Sequence, residues 1–277
     1  GMMFSSANSI NWGRLAPQIA YYVSAYCDMV KSGAVKLGEK VNICVPTGNF
    51  GNILAGYIAK QIGLPVHKFI CASNSNNVLT DFFRSGGTYD RNRPFYTTTS
   101  PSMDILVSSN LERLLFLVSG QDSGMVANLM QQLSETGKYT VPESLSAKIT
   151  ADFWAGCCDD AKAAQTIRAL WDGEHYLADT HTAVGVRVYE DYRAETGDKT
   201  PTIIASTASP FKFCRAVVEA LGGTLENDDV TQLDVLSGMT GLAAPAPLAA
   251  LAGKQPRFDL TVDKESILGT TDLLSAL

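Results

Sequence analysis

The sequence has no basic cluster, and its formal net charge of −6 leaves no electrostatic footprint for a nucleic-acid surface. It has no apolar run long enough to span a bilayer. The longest, near Leu242 to Ala252, is short and interrupted by prolines. Its six cysteines, Cys27, Cys44, Cys71, Cys157, Cys158 and Cys214, lack metal-ligand spacing. Cys157 and Cys158 are adjacent, a poor geometry for a structural disulfide or a zinc knuckle, so a reduced, cytoplasmic setting is the simpler expectation. No internal repeat and no low-complexity segment interrupts the chain. Gly1 ahead of Met2 and Met3 reads as the remnant of an expression tag and is excluded from the reasoning. The full sequence is 277 residues, 45% hydrophobic and 18% charged, enough for one large core or two modest ones in a globular α/β protein.

The most informative stretch is Val41 to Lys60. Val41-Asn42-Ile43-Cys44-Val45 reads as a short apolar strand, Pro46 to Asn52 as a glycine-rich turn, and Ile53 to Lys60 as a helix. Gly48 and Gly51 permit backbone angles that a side chain forbids and leave room for a ligand. Asn49 or Asn52 is placed to cap the helix. A strand, a tight turn and a bare helix N-terminus make a phosphate site. An ordinary βα turn has the same glycine spacing, so the particular string Gly-Asn-Phe-Gly-Asn carries the distinction.

That string, Thr47 to Asn52, resembles the phosphate cup of pyridoxal-phosphate (PLP) enzymes of the tryptophan synthase β-like fold, and more narrowly that of threonine synthase. Four further blocks resemble the same family in its order: Asn8 to Arg14, Ser100 to Ile105, His181 to Gly185 and Ser206 to Phe213. The resemblance implies an α/β fold, a parallel-sheet, three-layer, Rossmann-like large domain, with residues 1–277 its C-terminal portion. It implies PLP as cofactor and O-phospho-L-homoserine as substrate, converted with water to L-threonine and phosphate by a carbon–oxygen lyase of threonine biosynthesis. Gly48, Asn49, Phe50, Gly51 and Asn52 would hold the cofactor phosphate, Thr207 would meet the pyridine nitrogen, and Asn11 and Arg14 would face the substrate phosphate. Taken alone, Asn11 is a capping residue, Arg14 a surface charge and Thr207 a turn hydroxyl.

Along the chain, Leu15 to Lys31 carries apolar residues at helical spacing. Val66 to Ala72 is a second strand, so 41–72 forms a βαβ unit, with the polar turn Ser73 to Asn77 at its carboxyl end. Gly86 to Ser102 is an irregular excursion. Residues of about 106–174 read as a helical insertion, with only helical patterns from Gly124 to Gly173. Tyr176 to Ala178 reads as a short strand, and Thr180 or Thr182 as the cap of the next helix. His181 reads as a hydrogen-bonded structural histidine. Thr202 to Ala205 is a strand, a helix runs from Phe211 to Gly222, and Asp228 to Leu277 reads as a loose closing segment.

PLP chemistry needs a Schiff-base lysine. In the family it precedes the cup by far more residues than this sequence offers, and Lys31, Lys36 and Lys40 stand in no matching motif. Lys212 reads as a first-turn surface residue. No catalytic residue is therefore assigned, and this chain is expected to lack turnover by itself and, with sheet edge and apolar surface uncovered, to self-associate. Two rival readings stay open: another PLP lyase of the threonine or serine dehydratase type, and a non-catalytic remnant that binds phosphate, a nucleotide or a partner chain.

Overall fold

The computed structural model describes residues 7–255 and 261–266. Its elements run α1 (Trp12–Lys31), β1 (Val41–Pro46), α2 (Gly51–Gln61), β2 (Val66–Ser73), α3 (Val78–Arg84), β3 (Thr88–Asp90), α4 (Leu111–Val118), α5 (Ser123–Thr136), β4 (Lys138–Thr140), α6 (Glu143–Asp152), β5 (Phe153–Cys157), α7 (Asp160–Glu174), α8 (Thr180–Thr196), β6 (Thr202–Ile204), α9 (Cys214–Ala220), α10 (Asp229–Thr240) and α11 (Ala246–Ala249). Short 3₁₀ turns occupy Pro101–Met103 and Pro210–Phe213.

Four parallel strands form the main sheet in the order β5-β2-β1-β6. Alternate residues of its central strands feed two different cores. Ile43, Val45, Phe69 and Cys71 pack with α2 to α6 on one face. Cys44, Ile70 and Ala72 pack with α7 to α10 on the other. Both faces are thus covered by helices, and β1 is buried along its whole length because a strand with two apolar neighbours has no polar side to show. This is the expected three-layer α/β arrangement.

Several local expectations are corrected. The tract 124–173 is not helical throughout: Phe153–Cys157 is β5, a sheet strand paired with β2 from Phe69↔Phe153 to Ser73↔Cys157. Its five residues alternate too briefly to declare a period, and the pairing with β2 decides it. Thr88–Asp90 inside the excursion pairs with Lys138–Thr140. Tyr176 to Ala178 is not a strand. The segment after Asp228 is not loose, since α10 buries Leu233 and Leu236 in the second core. Within that segment 256–260 and 267–277 lie outside the described residues, as do residues 1–6.

Candidate active site

Two strand ends set the site. β1 and β6 are hydrogen-bonded neighbours, with Asn42↔Thr202, Ile43↔Ile203 and Cys44↔Ile204 in register. Their carboxyl ends therefore emerge side by side, the place where open α/β sheets put ligands. From β1 emerges Thr47 to Asn52, and from β6 the segment Ala205 to Ala208. Gly48 and Asn52 of the first and Ala205 to Ala208 of the second line a cleft of about 660 Å³ together with Arg14, Gln18, Tyr21 and Tyr22 of α1, with Ser102, His181 and with Lys212. A second hollow of about 470 Å³, lined by Asn8, Ser9 and Thr47 to Ile53, shares Arg14, Gly48, Asn52 and Ser102 with the first.

The turn is held from outside. Ser108 Oγ donates to the Gly48 carbonyl at 2.7 Å, and the Asn110 amide and side chain donate to the Asn49 carbonyl at 3.1 and 2.8 Å. Because a peptide group is planar and trans, fixing those two carbonyls outward turns the following amides, of Asn49 and Phe50, the other way. Among the described residues, none of the amides of Asn49 to Ile53 donates a hydrogen bond. These are the unpaired donors of a helix start, aligned with the positive end of its dipole.

The glycines serve space rather than angle. Neither Gly48 nor Gly51 adopts positive φ; the residue that does is Phe50, at φ 62°. That conformation is rare for a bulky side chain. The Phe50 ring is buried with centroids 6.1 Å from Phe83 and 5.9 Å from Phe153, which holds it there. A Cβ built on Gly48 would lie 2.6 Å from the Ser102 carbonyl oxygen, and one on Gly51 would lie 2.3 Å from Ser9 Cβ. The expected asparagine cap is also absent. Phe50 is the N-cap residue of α2 and makes no side-chain bond. Asn52 instead ties α2 to α1, accepting from the Tyr22 hydroxyl and donating to Gln18 Oε1 at 3.0 Å. Burial pushes the Tyr22 phenol well above its ordinary value, so it stays a donor.

The family described as threonine synthase, C-terminal, matches residues 182–266. Threonine synthase-like 1 of Mus musculus is 44% identical over 278 residues, covering 100% of this chain and 36% of that protein. This chain is related to the threonine synthases over most of its length. Threonine synthase of Saccharomyces cerevisiae is 40% identical over 232 residues, 79% of this chain and 44% of the yeast protein. The PLP-bound structure of threonine synthase from Brucella melitensis superposes with TM-score 0.73 at 39% identity, over 84% of this chain and 48% of that one. A yeast threonine synthase structure gives TM-score 0.80 at 33% identity, over 98% and 54%. The chain thus spans less than half the length of the curated relatives it matches.

In this threonine synthase relative, Gly48, Asn49, Phe50, Gly51 and Asn52 share one hollow, and Gly48, Asn52, Thr207 and Arg14 share the larger cleft. Thr207 is exposed there. Asn11 does not line either hollow; it is the N-cap residue of α1, its Oδ1 accepting from the Gly13 amide at 2.9 Å. Lys212, exposed in the 3₁₀ turn, also faces the cleft. The donor set fits a phosphate ester on an aromatic ring: unpaired amides at a helix start and a hydroxyl across the cleft. The Asn74–Asn76 turn serves a different purpose. Asn74 Nδ2 donates to Asp104 Oδ1 at 2.8 Å and to Thr98 Oγ1 at 2.8 Å, and Asn76 Nδ2 donates to the same carboxylate at 3.0 Å, lacing the 96–104 excursion to β2. The sequence reading missed Ser102, Ser108, Asn110 and Asp179 as parts of the site. Ser102 left a trace only as a member of the block Ser100 to Ile105.

Proposed function

We propose that this chain carries the cofactor-holding side of a PLP-dependent threonine synthase, which converts O-phospho-L-homoserine and water to L-threonine and phosphate. The observation that carries the reading is the set of unpaired amides of Asn49 to Ile53, in a hollow that shares Gly48 and Asn52 with the cleft of Thr207, the two segments emerging from neighbouring strands. The cup of Gly48 to Asn52 would bind the cofactor phosphate through backbone amides and the helix dipole. Thr207 Oγ1 would meet the ring nitrogen; a hydroxyl, unlike a carboxylate, leaves that nitrogen largely unprotonated. Arg14 would face the substrate phosphate, a charge-assisted contact suited to a guanidinium, while Asn11, outside both hollows, caps the helix that carries it. When bound, PLP supplies the electron sink that stabilises carbanions at the substrate's α and β carbons. In this reading no lysine of the sequence takes the Schiff-base role, so the chain binds cofactor without turnover.

The test is a PLP titration read by absorbance and by retention on desalting. Reversible binding, competed by inorganic phosphate and weakened about tenfold or more by Gly51→Val (roughly 1.4 kcal/mol), is expected. Covalent, borohydride-reducible attachment would assign the role to a lysine present here, Lys212 first. Phosphate binding with no added affinity for PLP would favour the non-catalytic phosphate-binding reading instead.

A further inference from the structure

Asp179 is buried with its side chain fully shielded, and it does not itself line the cleft. It caps α8, accepting from the His181 amide at 2.8 Å, a position expected of Thr180 or Thr182. Its two oxygens then diverge. Oδ1 meets His181 Nδ1 at 3.1 Å, and Oδ2 accepts from the Thr182 hydroxyl. His181 Nε2 accepts from the Ser102 amide at 3.1 Å, so the ring proton sits on Nδ1 and points at Asp179. Ser102 is the residue whose carbonyl lies against Gly48. On the other side, the Thr182 hydroxyl has its proton committed to Asp179 and accepts from the Thr207 amide at 3.4 Å. Burial pushes the Asp179 carboxyl up, but the hydrogen bonds from His181 and Thr182 prevail and hold it below the usual carboxylate range, ionised as both arms require.

We propose that Asp179 is a positioning residue that fixes both walls of the cleft: through His181 it holds Ser102 against Gly48 at the phosphate cup, and through Thr182 it holds Thr207. What the walls grip rests on the proposed function; that they are gripped from one carboxylate does not. A carboxylate serves here because two divergent oxygens accept from two donors without competing. Each arm carries one hydrogen bond into the segment it holds, to the Ser102 amide on one side and the Thr207 amide on the other.

Two measurements test the inference on the whole chain. The first is amide hydrogen exchange at Ser102 and Thr207 without ligand. His181→Phe, which keeps a ring beside Phe213 but no acceptor, is expected to speed exchange at Ser102 about tenfold and leave Thr207 unchanged. Thr182→Val is expected to do the reverse, and Thr182→Ser to restore the parent pattern. Asp179→Ala is expected to speed both; should it not fold, the two single arms decide. Single variants that loosen both amides alike, or neither, would overturn the proposal. The second measurement titrates the chain with inorganic phosphate and with pyridoxine 5′-phosphate, which has no aldehyde. His181→Phe should weaken both probes and Thr182→Val only the second. Equal weakening of both probes by Thr182→Val would also overturn it. If the parent binds neither probe, the cofactor reading falls while amide exchange still decides the relay.

Discussion

Gly48 and Gly51 look alike in sequence and meet different surroundings in the fold. The Cβ of an alanine at 48 would press on backbone, the Ser102 carbonyl at 2.6 Å and Met103 Cα at 3.2 Å, in a segment pinned by His181. At 51 it would press on the half-buried Ser9, in a segment held through side-chain hydrogen bonds from Asn110 and Arg113, which yield more readily than a backbone contact. Gly48→Ala is therefore expected to destabilise the chain by about 1–3 kcal/mol, the usual cost of overpacking, and to weaken phosphate binding. Gly51→Ala is expected to cost less. Thermal midpoints and a phosphate titration of the two variants check this, and the reverse order would count against the geometry described. The string around these glycines was legible because a cup is local: strand, turn and helix start lie within one short run of chain. The conformation at Phe50 was not legible, because left-handed φ on a phenylalanine is tolerated only through rings supplied by α3 and β5. Nor were Ser108 and Asn110, whose partners at Gly48 and Asn49 lie some sixty residues away.

At the scale of elements, the long periodic helices and the three apolar strands β1, β2 and β6 follow from hydrophobic pattern alone, while β5 and α10 depend on what they pack against. The junction of β1, α8 and β6 has its own polar clasp. Asp198 accepts from Asn42 Nδ2 at 2.8 Å, the Tyr192 hydroxyl at 2.6 Å, the Thr200 amide at 2.9 Å and the Thr200 hydroxyl at 2.7 Å. Burial raises its pKa, but the bonds from Tyr192, Thr200 and Asn42 outweigh it and hold the carboxyl well below the ordinary range. A carboxyl depressed in the folded state adds stability that is complete above its unfolded pKa of about 3.9 and fades as pH falls toward the folded value. Asp198→Ala is thus expected to lower stability by about 1–3 kcal/mol at neutral pH, with the gap to the parent narrowing below about pH 4. Denaturant melts at pH 7 and pH 3 check the sign; a gap that widens on acidification would contradict it.

On the scale of the whole molecule, the charge and composition of the chain limit its partners, but the surface patch that matters is visible only once α1 and α2 are placed. Val23 of α1, Leu37 of the following turn and Ile62 beyond α2 lie far apart in sequence and line one shallow hollow of about 470 Å³ with Tyr26, Leu64 and Pro65. Leu37 is 85% and Ile62 69% exposed, large apolar side chains left in water at a single place. Contiguous apolar surface of this kind is where chains associate, since removing it from water stabilises a complex by roughly 25 cal/mol per Å². We propose that this hollow, between α1 and the end of α2, drives the self-association expected of the chain. Light scattering over rising concentration should report a mass above that of a monomer, and Leu37→Glu with Ile62→Glu should return it to the monomer mass, because two buried carboxylates brought face to face cost far more than the apolar contact gives. Both substitutions are exposed, so the thermal midpoint should move little. A parent chain that stays monomeric at high concentration would remove the proposal. A double variant that associates as the parent does would move the interface elsewhere, to the exposed Trp12 and Tyr21 on α1 first.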